Sequence, residues 1–328
     1  MGLVNLASVA SSLTCPRCGG QLVEAGSTFV CSSPSCDVGP FPLLGRWPML
    51  VDFERSILQP PDLQESPEAA PANHRWSIDR VPKLLRSAWK PVNRVAESNV
   101  RRLLSLLAGE SPLVLVVGGG TVGNGIRAIY SDRRTRVLAF DIYGSPMTQF
   151  IADAHQIPLA GGSVDAVLAQ AVLEHVLDSR EVVREIHRVL RPGGLVYAET
   201  PFLQQVHAGA YDFVRYTSSG HRYLFRAFEE IAAGPIAGPG THLLWSIDHI
   251  VRGLTRSELA GKVLRGLLFW LRYLDRLIPT AFTMDCASAY YFLGRRADRN
   301  LTPQEIVSYY RGAQRSTDKQ VLSPDPGS

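Results

Sequence analysis

The chain has 328 residues, 45% hydrophobic, 20% charged and 9% aromatic, with 28 Gly and 22 Pro, a globular composition that excludes collagen, whole-chain disorder and a membrane bundle. Lys plus Arg number 34 against 30 Asp plus Glu, a net +4, too small and too scattered to call for a nucleic-acid partner. Five cysteines are too few for a disulfide scaffold.

Four of those cysteines, Cys15, Cys18, Cys31 and Cys36, sit close together near the start, and Cys286 stands alone. The pattern Cys15-x2-Cys18 and Cys31-x4-Cys36 supplies two pairs of thiolates, each able to fold around an ion as a tight knuckle, and four sulfurs suit Zn2+. Paired cysteines on this spacing indicate a metal site in a reducing compartment. The opening MGLVNLASVASSL has no basic residue before its apolar run, unlike a secretory signal, and no uninterrupted apolar stretch is long enough to span a bilayer. A cytoplasmic location is expected.

The spacing predicts a zinc-binding module over residues 1–51 and a proline-rich linker over 52–90. A central domain follows over 91–298, then a short helix and flexible tail over 299–328. Within the central domain an amphipathic helix is expected over Val92 to Ala108. LVLVV at 113–117 reads as a buried strand breaking into GGGTVGNG, then helical IRAIY; RVLAF at 136–140 is a second strand ending in Asp141. A short apolar piece at 149–152 meets Asp153. VDAVLA at 164–169 is a further strand, followed by helical AVLEHV. Asp178 and Glu181 open a helix through Leu190, RPGG ends it, and LVYAET at 195–200 is the next strand. Strands alternating with helices imply an α/β fold with a doubly wound, mostly parallel sheet.

Gly118, Gly120 and Gly123 match G-x-G-x-x-G between strand and helix, where backbone can approach a ligand closely. Asp141 at the next strand end is placed to accept both ribose hydroxyls of an adenosine. Two cofactor classes fit these residues, a nicotinamide or flavin dinucleotide and S-adenosylmethionine.

The cysteine segments TCPRCGGQL and FVCSSPSC, with FPLLGRWPMLVDF after them, resemble the zinc ribbon of the small activator subunit of tRNA, ribosomal and release-factor methyltransferases. The second pair departs from it, being spaced by four residues rather than two. IADAHQIPLAGGSVDAVLAQAVLEHV, LRPGG and LVYAETP resemble the second half of a class I S-adenosylmethionine-dependent methyltransferase of the type 11 small-molecule group. That resemblance implies a Rossmann-like methyltransferase fold from about Val114 to Gly294, with ASAYYFLGRR as closing strand. It also implies Asp153 and Ala154 on adenine and Gln170 near the methionine portion. Two departures are visible: Val116 stands where the group carries an acid, and the glycine loop is one residue longer.

After the fifth strand, TPFLQQVHAGAYDFVRYTSSGHRYLF gathers His207, Tyr211, Asp212, Arg215, Tyr216 and His221 at the carboxyl edge of the sheet, where open parallel sheets bind ligands. His207 or Asp212 could serve as a base toward a methyl acceptor; equally, Asp212 and Arg215 could pair to hold the loop. From Leu259 to Ile278, apolar residues alternate with Lys262, Arg265, Arg272 and Arg276. Either a cationic helix on a membrane or a cap over the acceptor fits that pattern. The expected function is methyl transfer from S-adenosylmethionine to a small-molecule or glycolipid-type acceptor, in a protein that also holds Zn2+. A non-catalytic binding protein on the same fold and a nucleotide-dependent oxidoreductase are the alternatives.

Overall fold

The computed structural model describes residues 2–26, 28–59 and 92–315. The linker expected at 52–90 lies outside them from residue 60 on, as does the tail beyond 315.

The N-terminal cysteine segment forms a hairpin of β1 (Leu22–Ala25) and β2 (Thr28–Cys31), then β3 (Leu43–Leu44) and β4 (Trp47–Leu50). Helix α1 (Arg94–Leu106) follows, with Asn93 accepting from the N–H of Ala96 as its N-cap, as a short polar side chain should. The alternating region supplies β5 (Leu113–Val117), α2 (Arg127–Ser131), β6 (Arg136–Asp141), β7 (Phe150–Ala152), β8 (Val164–Gln170), α3 (Ser179–Val189) and β9 (Leu190–Pro201). The C-terminal part adds α4 (Ser218–Leu224), β10 (Phe228–Ile236), α5 (Pro239–Thr255), α6 (Glu258–Leu267), α7 (Thr280–Asp285), β11 (Ala289–Arg296) and α8 (Pro303–Ser308).

The main sheet runs β10-β11-β9-β8-β5-β6-β7-β4-β3. The six strands from β9 to β4 are parallel, and β11 lies antiparallel between β9 and β10. The sheet is therefore mostly parallel, and it is covered on both faces. Leu113, Leu115 and Val117 of β5 face one core with α3, whereas Val114 and Val116 face another with α1 and α2, the alternation a pleated strand imposes.

Several elements depart from expectation. The AVLEHV segment is a series of turns and bends rather than a helix, with Ala171 at φ 54°; a non-glycine residue there ends regular structure. RPGG lies inside β9, with Gly193 at φ 72°. The cationic stretch from Leu259 to Ile278 is divided: α6 ends at Leu267, and a 3-10 segment, Phe269–Arg276, turns back. That turn places the Asp275 carboxylate on the N–H groups of Gly238, Gly240 and Thr241, satisfying the exposed donors of α5. Strand β10 contains Gly234 and Pro235, which mask it in the sequence; Pro is tolerated because β10 is the sheet edge.

The cysteine module shares its core with the sheet. Val9, Leu13, Cys15, Leu22, Phe29, Phe41 and Leu50 are buried in the same cluster as Leu115 and Phe140 of the sheet and Ile186 of α3, and β4 pairs β7 through Met49↔Ile151 and Leu50↔Ala152. The Trp47 indole N–H donates to the carbonyls of Ser145 and Thr148, at 3.0 and 3.1 Å.

Candidate functional site

The four cysteine sulfurs lie within 4.8 Å of one another, with Cys15 to Cys36 at 3.8 Å and Cys18 to Cys31 at 3.5 Å. Sulfurs 2.3 Å from one tetrahedral ion would stand about 3.8 Å apart. Backbone N–H groups of Gly20 and Ser33 point at Cys18 and Cys31, both at 3.4 Å. A Cβ on Gly20 would come 3.1 Å from the Cys31 sulfur, so any larger residue would crowd the first knuckle. Burial pushes the Cys15 thiol up to about 12, and the Gly20 N–H draws Cys18 down to about 7; a bound cation would favour thiolate at both. Between the first two cysteines, Arg17 makes a bidentate pair with buried Asp52, at 2.9 and 2.6 Å, and reaches Asp37 and Glu54. This fixes the knuckle to the chain that leaves the module.

The glycine turn after β5 is drawn tight by its surroundings. Gly118 has φ 68°, and a Cβ there would run into Val172; Gly120 lies against the Tyr143 hydroxyl and Gly123 against the Gln170 side chain. The Gly119 N–H donates to Phe140 O and the Gly120 N–H to the Asp141 carboxylate, each at 2.8 Å. Val116, 3% exposed, packs in the core below the loop, so these two donors are satisfied from β6 without an acid on β5. The Asp141 carboxylate also accepts from the N–H of Ile142 at 2.7 Å. Desolvation pushes it up to about 6 against those hydrogen bonds. Each oxygen keeps acceptor capacity for a further donor, which two vicinal hydroxyls could use.

Asp153 begins the 3-10 turn that contains Ala154. Its carboxylate accepts from the N–H of His155 at 2.9 Å, meets the His155 ring at 2.6 Å, and is touched by the Ser56 hydroxyl. Although burial opposes it, these partners hold Asp153 below the usual carboxylate range. The chain leaving the cysteine module thus reaches the position expected for adenine. Gln170 donates to Asn124 O and to Glu199, each at 2.9 Å. Glu199, buried and raised by desolvation, also takes Asn93 and Tyr197. It ties the start of α1 to the glycine loop. Sequence reasoning missed it, although its place at the end of β9, paired with Gln170, is the available signal.

His207 and Asp212 do come together, but they differ in kind. Asp212 forms an ion pair with both terminal nitrogens of Arg215 and accepts from the His207 N–H at 3.0 Å; the Arg215 pairing holds it down to about 2. A carboxylate so acidic is a poor base near neutral pH, and this geometry matches the loop-holding role rather than the catalytic one. His207 instead lies against His175, with ring centroids 4.9 Å apart, beside Glu174. Glu174 is 1% exposed and is pushed up to about 8 by burial. Its place beside His207 was missed because the LEHV segment read as a helix. His221 is buried beneath Tyr216 and Phe225, away from solvent.

A glycine turn after a central parallel strand, with a carboxylate at the next strand end, defines a Rossmann-like α/β fold, and the family match makes it one of the methyltransferase kind. Residues 116–198 match the family model described as a methyltransferase domain. Among curated relatives, an uncharacterized 37.1 kDa protein in transposon Tn4556 of Streptomyces fradiae is 31% identical over 137 residues, covering 38% of this chain and 39% of its own. A probable S-adenosylmethionine-dependent methyltransferase of Mycolicibacterium smegmatis is 46% identical over 46 residues, 14% of this chain and 18% of its own. The ubiquinone biosynthesis O-methyltransferase of Pseudomonas aeruginosa is 27% identical over 146 residues, 39% of this chain and 58% of its own. The chain thus spans from 18% to 58% of the length of these relatives.

Proposed function

We propose that the protein is an S-adenosylmethionine-dependent methyltransferase with a structural zinc site. The observation that carries this reading is Asp141 held at the end of β6 against the Gly120 N–H, inside the segment that matches the methyltransferase family model. In this reading Asp141 takes the ribose hydroxyls, and Gly118, Gly120 and Gly123 let backbone approach the cofactor. Asp153 and Ala154 border adenine, and Gln170 borders the methionine portion. Cys15, Cys18, Cys31 and Cys36 hold Zn2+, which supplies stability rather than chemistry.

Methyl transfer from a sulfonium is an in-line displacement, so the chain's main task is to align donor and acceptor. The acceptor side is the loop from Gln205 to Tyr216, where His207 lies against His175 and Asp212, locked to Arg215, positions it. The name of one relative, an O-methyltransferase, supports an acceptor whose oxygen is methylated. We further read that acceptor as lipid-linked. The helices after β10 expose Leu254, Leu259, Val263, Leu267, Trp270 and Leu277 beside Lys262, Arg265, Arg272 and Arg276, a combination suited to an anionic lipid surface. No described helix is long and apolar enough to cross a membrane.

The test is incubation with methyl-labelled S-adenosylmethionine and separate lipid and polar extracts. Label is expected in the lipid fraction together with S-adenosylhomocysteine. Label only in polar metabolites would remove the lipid-linked acceptor, and none in either would favour a non-catalytic binding protein.

A further inference from the structure

Glu199 is a buried acid to which the methyltransferase reading gives no chemical task. It stands near the end of β9, 7% exposed, opposite Gln170 of β8 in the sheet register. Asn93 Nδ2 donates to both of its oxygens, at 3.2 and 3.1 Å, Gln170 Nε2 donates to Oε2 at 2.9 Å, and the Tyr197 hydroxyl donates to Oε1. An amide nitrogen can only donate, so the carboxyl is surrounded as an acceptor, which favours its ionised form.

What Glu199 lacks is a cation. Its hydrogen-bond partners are all neutral, and among the described residues no Lys, Arg or His forms an ion pair with it. Arg215, on the same edge, is taken by Asp212. Glu174, also buried, is near enough for the two carboxyls to repel each other when charged, so it adds to the imbalance. Gln170 contributes a second unmet acceptor: its amide group donates to Glu199 and to Asn124 O, and its Oε1 is buried with no partner. A buried charge without a counter-ion is costly. The ends of β8 and β9 therefore favour a ligand that brings positive charge to them.

We propose that Glu199 is a specificity-determining residue whose charge makes the site favour the cationic methyl donor over its neutral product. The inference rests on the methyltransferase reading, which sets the methionine portion beside Gln170. On transfer the methyl carbon bonds to the acceptor, the carbon–sulfur pair stays on sulfur, and the acceptor's proton leaves to solvent, so the sulfonium charge is gone. The nucleoside, the ammonium and the carboxylate are common to S-adenosylmethionine and S-adenosylhomocysteine. Glu199 thus acts on the difference between them, helping to hold the donor and to let the product go. Coulomb attraction has the reach for this, since at an effective dielectric of about 20 a unit charge still gives about a tenfold effect at about 12 Å.

The experiment is calorimetric titration of the full chain with S-adenosylmethionine and, separately, with S-adenosylhomocysteine. Glu199→Gln, of nearly equal shape, should weaken the donor about tenfold more than the product. Glu199→Asp, which keeps the charge, should keep most of the wild-type ratio. A residue that only ties β9 to α1 and Gln170 would weaken both ligands alike, so the ratio separates charge from structure. Should Glu199→Gln fold poorly, Gln170→Lys, which sets a cation against the carboxylate, takes its place and should shift the ratio in the same direction. Equal weakening of both ligands in Glu199→Gln, or a ratio unchanged in both variants, overturns the proposal. Binding of neither ligand to the wild type would instead overturn the methyltransferase reading on which it rests.

Discussion

At the scale of single residues, Asp141 is the side chain on which cofactor affinity should depend most. Losing paired hydrogen bonds to a carboxylate costs roughly 1.5–3 kcal/mol, so Asp141→Ala should weaken S-adenosylmethionine binding about ten- to a hundredfold. Its carboxyl sits at about 6 in the free protein, and the ionised form is the one that accepts ribose hydroxyls. Wild-type affinity should therefore fall as pH drops below about 6, and the Asp141→Ala variant should lack that fall; calorimetry across pH reads both. His221 has a different consequence. Burial holds its imidazole down to about 3, whereas the unfolded chain takes up that proton near 6.5. Stability contributed by this residue is present above pH 6.5 and is lost as pH falls toward 3, by at most about 1.4 kcal/mol per unit. Denaturant melts of His221→Phe should show a shallower acid loss between pH 6 and 4 than the wild type, and identical slopes would contradict the buried neutral imidazole.

Among the elements, β4 makes the most consequential contact. It carries Trp47, whose ring lies on Gly144 and whose N–H is held by Ser145 and Thr148, in the turn just beyond Asp141. Trp47→Ala removes that packing and both hydrogen bonds and should cost roughly 2 kcal/mol or more. Because the module and the sheet share one core, stripping metal with a chelator should lower a single calorimetric transition. Two transitions, with the larger one unmoved, would show an independent module. Such docking was not legible in the sequence. Local spacing brought out the two cysteine pairs, the β5 turn and Asp141, all set by neighbours in the chain. The β4–β7 pairing joins Met49 to Ile151 and Leu50 to Ala152 across a long stretch of chain, and the Ser56 contact with Asp153 is equally remote. The Glu174 cluster escaped for a related reason: its segment had the spacing of a helix, and only tertiary contacts turn it toward His207.

For the whole molecule, the order of elements places three things at the carboxyl edge of one sheet: the glycine turn with Asp141, a loop rich in acid and base groups, and helices that expose apolar side chains beside basic ones. If those helices meet lipid, the protein should co-sediment with phosphatidylglycerol vesicles, less with phosphatidylcholine, and less again at high salt, since each Lys or Arg near an anionic surface adds about 1 kcal/mol. Leu259→Asp with Trp270→Asp should abolish the binding while leaving cofactor affinity intact, and vesicle binding that survives both changes would move the contact elsewhere. The alternating strands and helices made the sheet legible from sequence, whereas edge strand β10 was hidden by Gly234 and Pro235, the proline being tolerated at an edge because it has no N–H to donate. The most direct test of the central claim is a parallel calorimetric titration of the purified protein with S-adenosylhomocysteine and with NAD. Saturable binding of S-adenosylhomocysteine at one site per chain, weakened in Asp141→Ala, and no heat with NAD is the expected result; saturable NAD binding, or S-adenosylhomocysteine affinity unchanged in Asp141→Ala, would contradict it.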